Sequence, residues 1–241
     1  MKKALFAILL AATTLLTTRS AAATYDNNAS AWYNYFGDHN IGEGPWGLHF
    51  DAQIRRESLG LDQQQYLFQP GVNYKLNERF TLGGGYGYMR TYPYGDFPVA
   101  APVNEHRVWE QISTSTPLLS LNWNHRLRLE QRTIGNANNY RYENRVRYRL
   151  LTTLPLPCGK EGQYYLKAYD EIFINFGGNV AKNTFDQNRA YLAVGRKLSE
   201  HVKVEVGFME QTLQHRNGRV IENNHTLMVS LLSAWPFGNK K

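Results

Sequence analysis

The stretches Leu121-Asn-Trp-Asn-His-Arg-Leu-Arg-Leu-Glu-Gln-Arg132 and Arg141-Tyr-Glu-Asn-Arg-Val-Arg-Tyr-Arg-Leu150 decide the fold. A β-strand sends alternate side chains to opposite faces. On that period Arg126, Arg128, Glu130 and Arg132 share one face, and Trp123, Leu127 and Leu129 share the other. In the second stretch Arg141, Glu143, Arg145, Arg147 and Arg149 oppose Tyr142, Val146, Tyr148 and Leu150. One face carries charge and the other is apolar and aromatic. In an exported chain this pattern predicts a membrane barrel with a polar lumen.

Export is read from the N-terminus. Lys2 and Lys3 precede an apolar run from Ala4 to Leu16, and Ala21-Ala22-Ala23 has the small residues of a cleavage site. Residues 1–23 therefore read as a signal peptide, and 24–241 as the mature barrel. The apolar run is too short for an anchor across about 30 Å of hydrocarbon. Cleavage removes Lys2, Lys3 and Arg19 from 27 Lys+Arg and none of the 20 Asp+Glu, leaving a net charge of +4. That mild excess in an exported chain argues against nucleic-acid binding. Cys158 has no second cysteine to pair with, so stability must come from backbone pairing and burial.

Alternation recurs along the rest of the chain. It predicts strands over 47–56, 65–76, 80–91, 105–115, 119–133, 141–154, 163–176, 185–198, 202–214 and 223–235. A short run from Trp32 to Phe36 is an additional candidate. Ten strands are expected, or up to twelve if the start of the chain rearranges, in one antiparallel all-β barrel. Several strands approach the ~9–11 residues needed to cross a bilayer. Connections alternate in length. Those at 77–79, 115–117 and 199–201 read as tight, and those at 93–104, 134–140, 177–184 and 214–222 as longer and polar. Outer-membrane barrels pair short periplasmic turns with longer outer loops. An even count would put both ends in the periplasm, and Leu154 to Gly162 would be an unusually long periplasmic turn. Tyr92, Tyr94, Tyr140, Tyr142, Tyr164, Tyr165, Trp235 and Phe237 sit near strand ends, as interfacial aromatics do. No domain boundary, internal repeat or low-complexity linker is evident.

Alternation alone leaves a soluble lipocalin-like barrel open, with its arginines in water. Long strands, uneven loops and aromatic strand ends favour the membrane. There, each lipid-facing Arg costs roughly 2–4 kcal/mol, so seven on two strands exceed the ~5–15 kcal/mol stability of a typical protein. The arginines must then face the lumen. Arg126, Arg128, Arg132, Arg141, Arg145, Arg147, Arg149 and Lys167 stand against Glu130, Glu143 and Glu171, a local excess of +5. Glu105, Arg107 and Arg189 extend the expected lumen network. A hydrogen-bonded ladder filling a narrow barrel is the favoured reading, and an anion-attracting pore wall is the alternative.

The same residues carry a likeness. Glu105-His-Arg-Val-Trp109, Arg126 to Arg132, Arg145-Val-Arg-Tyr148, Glu171-Ile-Phe173, Asn188-Arg189 and Gly207-Phe208 run in order across most of the mature chain. In these marks the chain resembles the bacterial outer-membrane proteins grouped as domain of unknown function 2490. The resemblance implies an exported β-barrel in the cell outer membrane, and it implies no activity or catalytic residue. The chain departs from common barrel practice at its end: Gly238-Asn-Lys-Lys241 follows Phe237, which would otherwise be the terminal aromatic.

Catalytic parts are sparse. A lipid-acting hydrolase needs a Ser–His pair with an orienting acid. His225 and Ser230 have opposite strand parity, as do His125 and Ser120, and Asp170 and Glu171 are adjacent. The histidines at 39, 49, 106, 125, 201, 215 and 225 lack metal-ligand spacing and read as polar lumen or loop residues. Asp186, Asn188 and Asn179 are a weak calcium candidate. Gly83-Gly84-Gly85 falls inside a strand and is read as permitting bending or close packing. The expected chain is not an enzyme and takes no metal or cofactor. Its partners are outer-membrane lipid and, during biogenesis, the barrel-assembly machinery. Its role is a structural barrel or a narrow, anion-selective channel. The competing class is an outer-membrane enzyme acting on lipid or envelope substrate.

Overall fold

The computed structural model describes residues 23–137, 139–160 and 162–238. The signal peptide expected over residues 1–23 lies outside them except for Ala23, as do residues 239–241. The described chain is all-β. Its strands are β1 (Thr24–Asn40), β2 (Trp46–Glu57), β3 (Asp62–Lys75), β4 (Phe80–Thr91), β5 (Val103–Leu118), β6 (Leu121–Asn136), β7 (Asn139–Pro155), β8 (Tyr164–Phe176), β9 (Phe185–Lys197), β10 (Val202–Gln214) and β11 (Val220–Ser233). They form one closed barrel in which each strand pairs with its sequence neighbour and β1 pairs with β11. The expected strands at 80–91 and 202–214 match β4 and β10 end to end, and the others differ by a few residues.

The barrel departs from the expected antiparallel scheme at one seam. The Trp32–Phe36 run is the middle of a long strand, and β1 pairs antiparallel with β2 but parallel with β11, from Thr24 opposite Val220 to Gly37 opposite Ser233. An odd strand count makes a parallel pair unavoidable on closure. It also places the start of β1 and the end of β11 at opposite rims, so the expectation that both ends share one rim does not hold. Beyond β11 the chain returns to β1. The Phe237 N–H donates to Asn40 O at 2.8 Å, the Gly42 N–H donates to Phe237 O at 2.7 Å, and the Phe237 ring packs on His39.

Two turns also fall elsewhere than expected. β5 continues through Pro117, and its turn is Leu119-Ser120, both at positive φ. The stretch 134–140 is mostly strand, joined at 137–138. One rim carries the connections 41–45, 76–79, 119–120, 156–163 and 198–201. The other carries 58–61, 92–102, 137–138, 177–184 and 215–219. The 92–102 connection is the longest, so the second is called the long-loop rim here.

Inside and outside separate by strand parity. Leu127, Leu129, Tyr148, Phe208, Leu227 and Val194 are exposed on the outer surface. Arg128, Glu130, Arg145 and Glu171 are buried within. One corner of the interior is apolar, where Trp32, Tyr191, Ala193, Met209 and Met228 cluster. The triple glycine has a packing role. A Cβ on Gly85 would collide with Pro70 O and with the Trp109 ring, and one on Gly83 would press on Gln111. Inward glycines on β3 and β4 thus make the room that a fully buried Trp109 occupies.

A buried charge network inside the barrel

β6 and β7 align so that Glu130 faces Arg145 and Arg132 faces Glu143, while Arg128 faces Arg147 and Arg126 faces Arg149. Like charges placed opposite each other repel, so the acids must be shared among several bases. Glu130 is the hub, 0 % exposed. It accepts from Arg145 Nε at 2.7 Å and from Arg147 Nη1 at 2.7 Å, and Arg107 Nη1 stands 3.6 Å away. Glu171 Oε1 accepts from Arg126 Nη2 at 2.6 Å and from Arg147 Nε at 3.0 Å. Glu143 holds Arg132 at 3.3 Å and Arg141 at 2.9 Å, and Glu105 holds Arg107 at 2.6 Å. Lys167 binds Glu205 at 2.9 Å.

The remaining expected members lie apart from these acids. Among the described residues Arg128, Arg149 and Arg189 have no carboxylate at ion-pair distance. Arg128 donates through Nε and Nη2 to Gln111 Oε1, at 2.9 and 2.6 Å, and stacks 4.4 Å above the Trp109 ring. Arg189 donates to the Gln187 amide at 3.4 Å and to the Gln211 amide oxygen through Nη2 at 3.2 Å and Nε at 3.3 Å, and lies between the Phe173 and Trp32 rings.

Several interior residues escaped the sequence reading. Asp186 takes Arg145 Nη1 at 2.7 Å and Asn175 Nδ2 at 3.0 Å, so its carboxylate is spent on the network rather than on calcium. A bulge beside it, opposite Phe173/Ile174, turns it inward against strand parity. Arg55 stacks 3.8 Å over Trp32 and is held by Gln53 and Gln65. Arg216 reaches in from the 215–219 connection to Glu143 at 2.9 Å. Asp26, Asp51, Glu57 and Glu222 also belong to the interior, on β1, β2 and β11. The +5 excess therefore describes one wall: bases crowd β5 to β9, and acids gather opposite.

Tyr94 closes the long-loop rim on that acidic side. Its hydroxyl donates to Glu222 Oε1 at 2.8 Å, and the Asp96 N–H lies 3.4 Å from Asp26 Oδ1. Burial, reinforced by the Glu222 carboxylate, pushes the Tyr94 phenol well above its ordinary value, so it acts as a donor. Arg216 Nη2 donates to Asn179 O at 2.8 Å, tying two further connections together. At the opposite rim the interior cavity, about 520 Å³, runs out to Asp38, Asn73 and Asn124.

The outer surface also carries polar pairs. His106 and His125 face outward and bond Tyr86 and Tyr148, rather than lying in the lumen or a loop. His225 Nδ1 is 2.7 Å from Glu210 Oε2, and Asn188 donates to Asp170 Oδ1 at 3.1 Å. Each of these outward polar groups thus has a partner. Ser230 points inward and accepts from Asn34, on the opposite face from His225. Among the described residues no three His, Cys, Asp or Glu converge as a metal site.

No curated protein and no solved structure matches the chain. One family model does, over residues 29–222, from within β1 to the start of β11. The marks Glu105–Trp109, Arg126–Arg132 and Arg145–Tyr148, which supply most of the buried network, all fall inside that span. The chain belongs to the family described as protein of unknown function (DUF2490).

Proposed function

We propose that the chain is an outer-membrane barrel, exported behind residues 1–23 and inserted into outer-membrane lipid by the barrel-assembly machinery. It serves as a structural barrel with a narrow, anion-preferring lumen. The observation that carries this reading is the two-faced wall. Exposed Leu, Val, Phe and Tyr side chains cover the outside, and a buried Arg/Glu network fills the inside. An apolar exterior has no reason to face water over so wide an area, and a charged interior cannot face lipid. The outward polar residues on β8 to β11 are bonded to one another, which lowers their cost in lipid. The Tyr94 strap and the shared guanidinium ladder leave no wide path, so conduction is small. In this reading the barrel has no catalytic site, because among the described residues no serine, histidine and acid meet on either face.

Two experiments test it. Unboiled protein should run apart from boiled protein in SDS gels and should fractionate with outer membranes, because a closed barrel leaves no unpaired edge. In planar bilayers the protein should show no conductance or a small anion-preferring one. Recovery as a freely soluble periplasmic protein, or a large cation-preferring pore, would overturn the proposal.

Orientation follows from loop length. Cys158 is exposed in the 156–163 connection, on the rim with the shorter connections and hence the periplasmic one. A membrane-impermeant maleimide should spare it in intact cells and label it once the periplasm is opened, and Cys158→Ser should leave the membrane yield unchanged. Labelling from outside would invert the topology.

A further inference from the structure

The basic wall of the lumen holds more guanidinium than its acids can satisfy, and the surplus is local. Arg149 on β7 is in register with Arg126 on β6 and with Glu171 on β8. Glu171 Oε1 is already shared by Arg126 and Arg147. Among the described residues Arg149 makes no hydrogen bond or ion pair, and its Nε is buried without a partner, as is the Nε of Arg126. The Arg149 guanidinium lies 5.9 Å from the Tyr169 ring centre, and Arg189 is held by aromatic faces and the neutral side-chain amides of Gln187 and Gln211, with no carboxylate at ion-pair distance among the described residues. Arg126, Arg149 and Arg189 line the same cavity of about 520 Å³, together with Tyr169 and Tyr191.

A desolvated cation without a counterion is costly. Planar guanidinium forks with free edges match the oxygens of an oxyanion in pairs. Among the described residues, Arg149 with no polar partner, Arg126 with a free Nε and Arg189 with only neutral amides, all beside one carboxylate already shared, favour a ligand with two charges and several acceptor oxygens over a halide. We propose that Arg126, Arg149 and Arg189 form a lumenal binding site for a phosphate-type oxyanion, either inorganic phosphate or the terminal phosphate of a small monoester. The anion enters from the shorter-connection rim, where the cavity runs out to Asp38, Asn73 and Asn124. The proposal deepens the lumen reading above and rests on that cavity being reachable by solute. It does not require a bilayer.

The test uses the full mature chain refolded in detergent, with its fold checked by heat-modifiability. Radiolabelled inorganic phosphate and glycerol 3-phosphate are titrated by equilibrium dialysis in excess chloride. Saturable one-site binding of either is expected. The tighter of the two identifies the source. Arg149→Gln and Arg189→Gln should each weaken it by about tenfold or more, the loss of a charge-assisted hydrogen bond. Arg196→Gln, on the outer face of β9, should bind as wild type. Absence of saturable binding, displacement by chloride at equal concentration, or wild-type affinity in both lumen variants would overturn the site. If Arg149→Gln does not refold, Arg189→Gln and the wild-type titration decide. A chain recovered as a soluble barrel that still binds phosphate would sink the membrane reading and leave this site standing.

Discussion

Glu130→Ala is expected to lower barrel stability by about 3–5 kcal/mol, the cost of removing one partner from a buried ion pair. The residue has no exposed surface and accepts from Arg145 and Arg147, with Arg107 at 3.6 Å. Truncation leaves desolvated guanidiniums facing one another across β6 and β7, where Arg128 already opposes Arg147. Asp186 and Glu171 retain one contact each to Arg145 and Arg147, so the barrel is strained rather than emptied of acid. Glu130→Gln keeps the volume and removes the charge. It should recover only part of the loss if charge is the dominant cause. Thr116→Ala, on the exposed end of β5, should stay within about 0.5 kcal/mol of wild type. Urea titrations of the refolded barrel, read by heat-modifiability, measure all three. A Glu130→Ala barrel as resistant as wild type would show that the network is not what fills and holds the lumen.

Leu129→Arg separates the membrane barrel from a soluble one. Leu129 lies midway along β6, faces outward and is 36 % exposed, while its neighbours Arg128 and Glu130 point inward. In a bilayer an outward Arg near the midplane costs roughly 2–4 kcal/mol. On the surface of a soluble barrel the same change costs within about 0.5 kcal/mol. Folding titrations in lipid vesicles should therefore show the large loss. A near-neutral result in vesicles would mean that this face does not meet hydrocarbon. The contrast between adjacent positions is the informative part. One residue along the strand, an arginine is already buried and tolerated, because Gln111 and the Trp109 ring receive it.

Strand parity made the barrel legible. From Leu121 to Arg132 and from Arg141 to Leu150 the two faces differ so sharply in polarity that only one pleated arrangement buries each face in a suitable place. The same rule assigned His225 and Ser230, and Asp170 and Glu171, to opposite faces, and the structure places them so. β1 was harder to see. Asn27-Asn28-Ala29-Ser30-Ala31 is small or polar at both parities, so the strand carries no alternating signal there. It exists because β2 and β11 each offer it a free edge to pair with. The stretch 134–140 reads as a loop for a similar reason: its polar residues suggest one, but 134–136 and 139–140 are paired across a hairpin.

The sequence by itself therefore determined the strand count to within one, the faces of the strongly alternating strands such as β6 and β7, and the identity of most charges in the interior. These depend on local periodicity and on the cost of exposing the wrong face. Tertiary structure alone decided the rest. It set the parallel seam between β1 and β11, which depends on an odd number of strands closing on itself. It set which acid serves which base, because Asp186 and Glu205 reach the ladder from β9 and β10 and Arg216 from a connection. It also decided that Arg149 and Arg189, among the described residues, have no carboxylate at ion-pair distance. A pairing among strands distant in sequence follows from register and closure, and no local pattern encodes it.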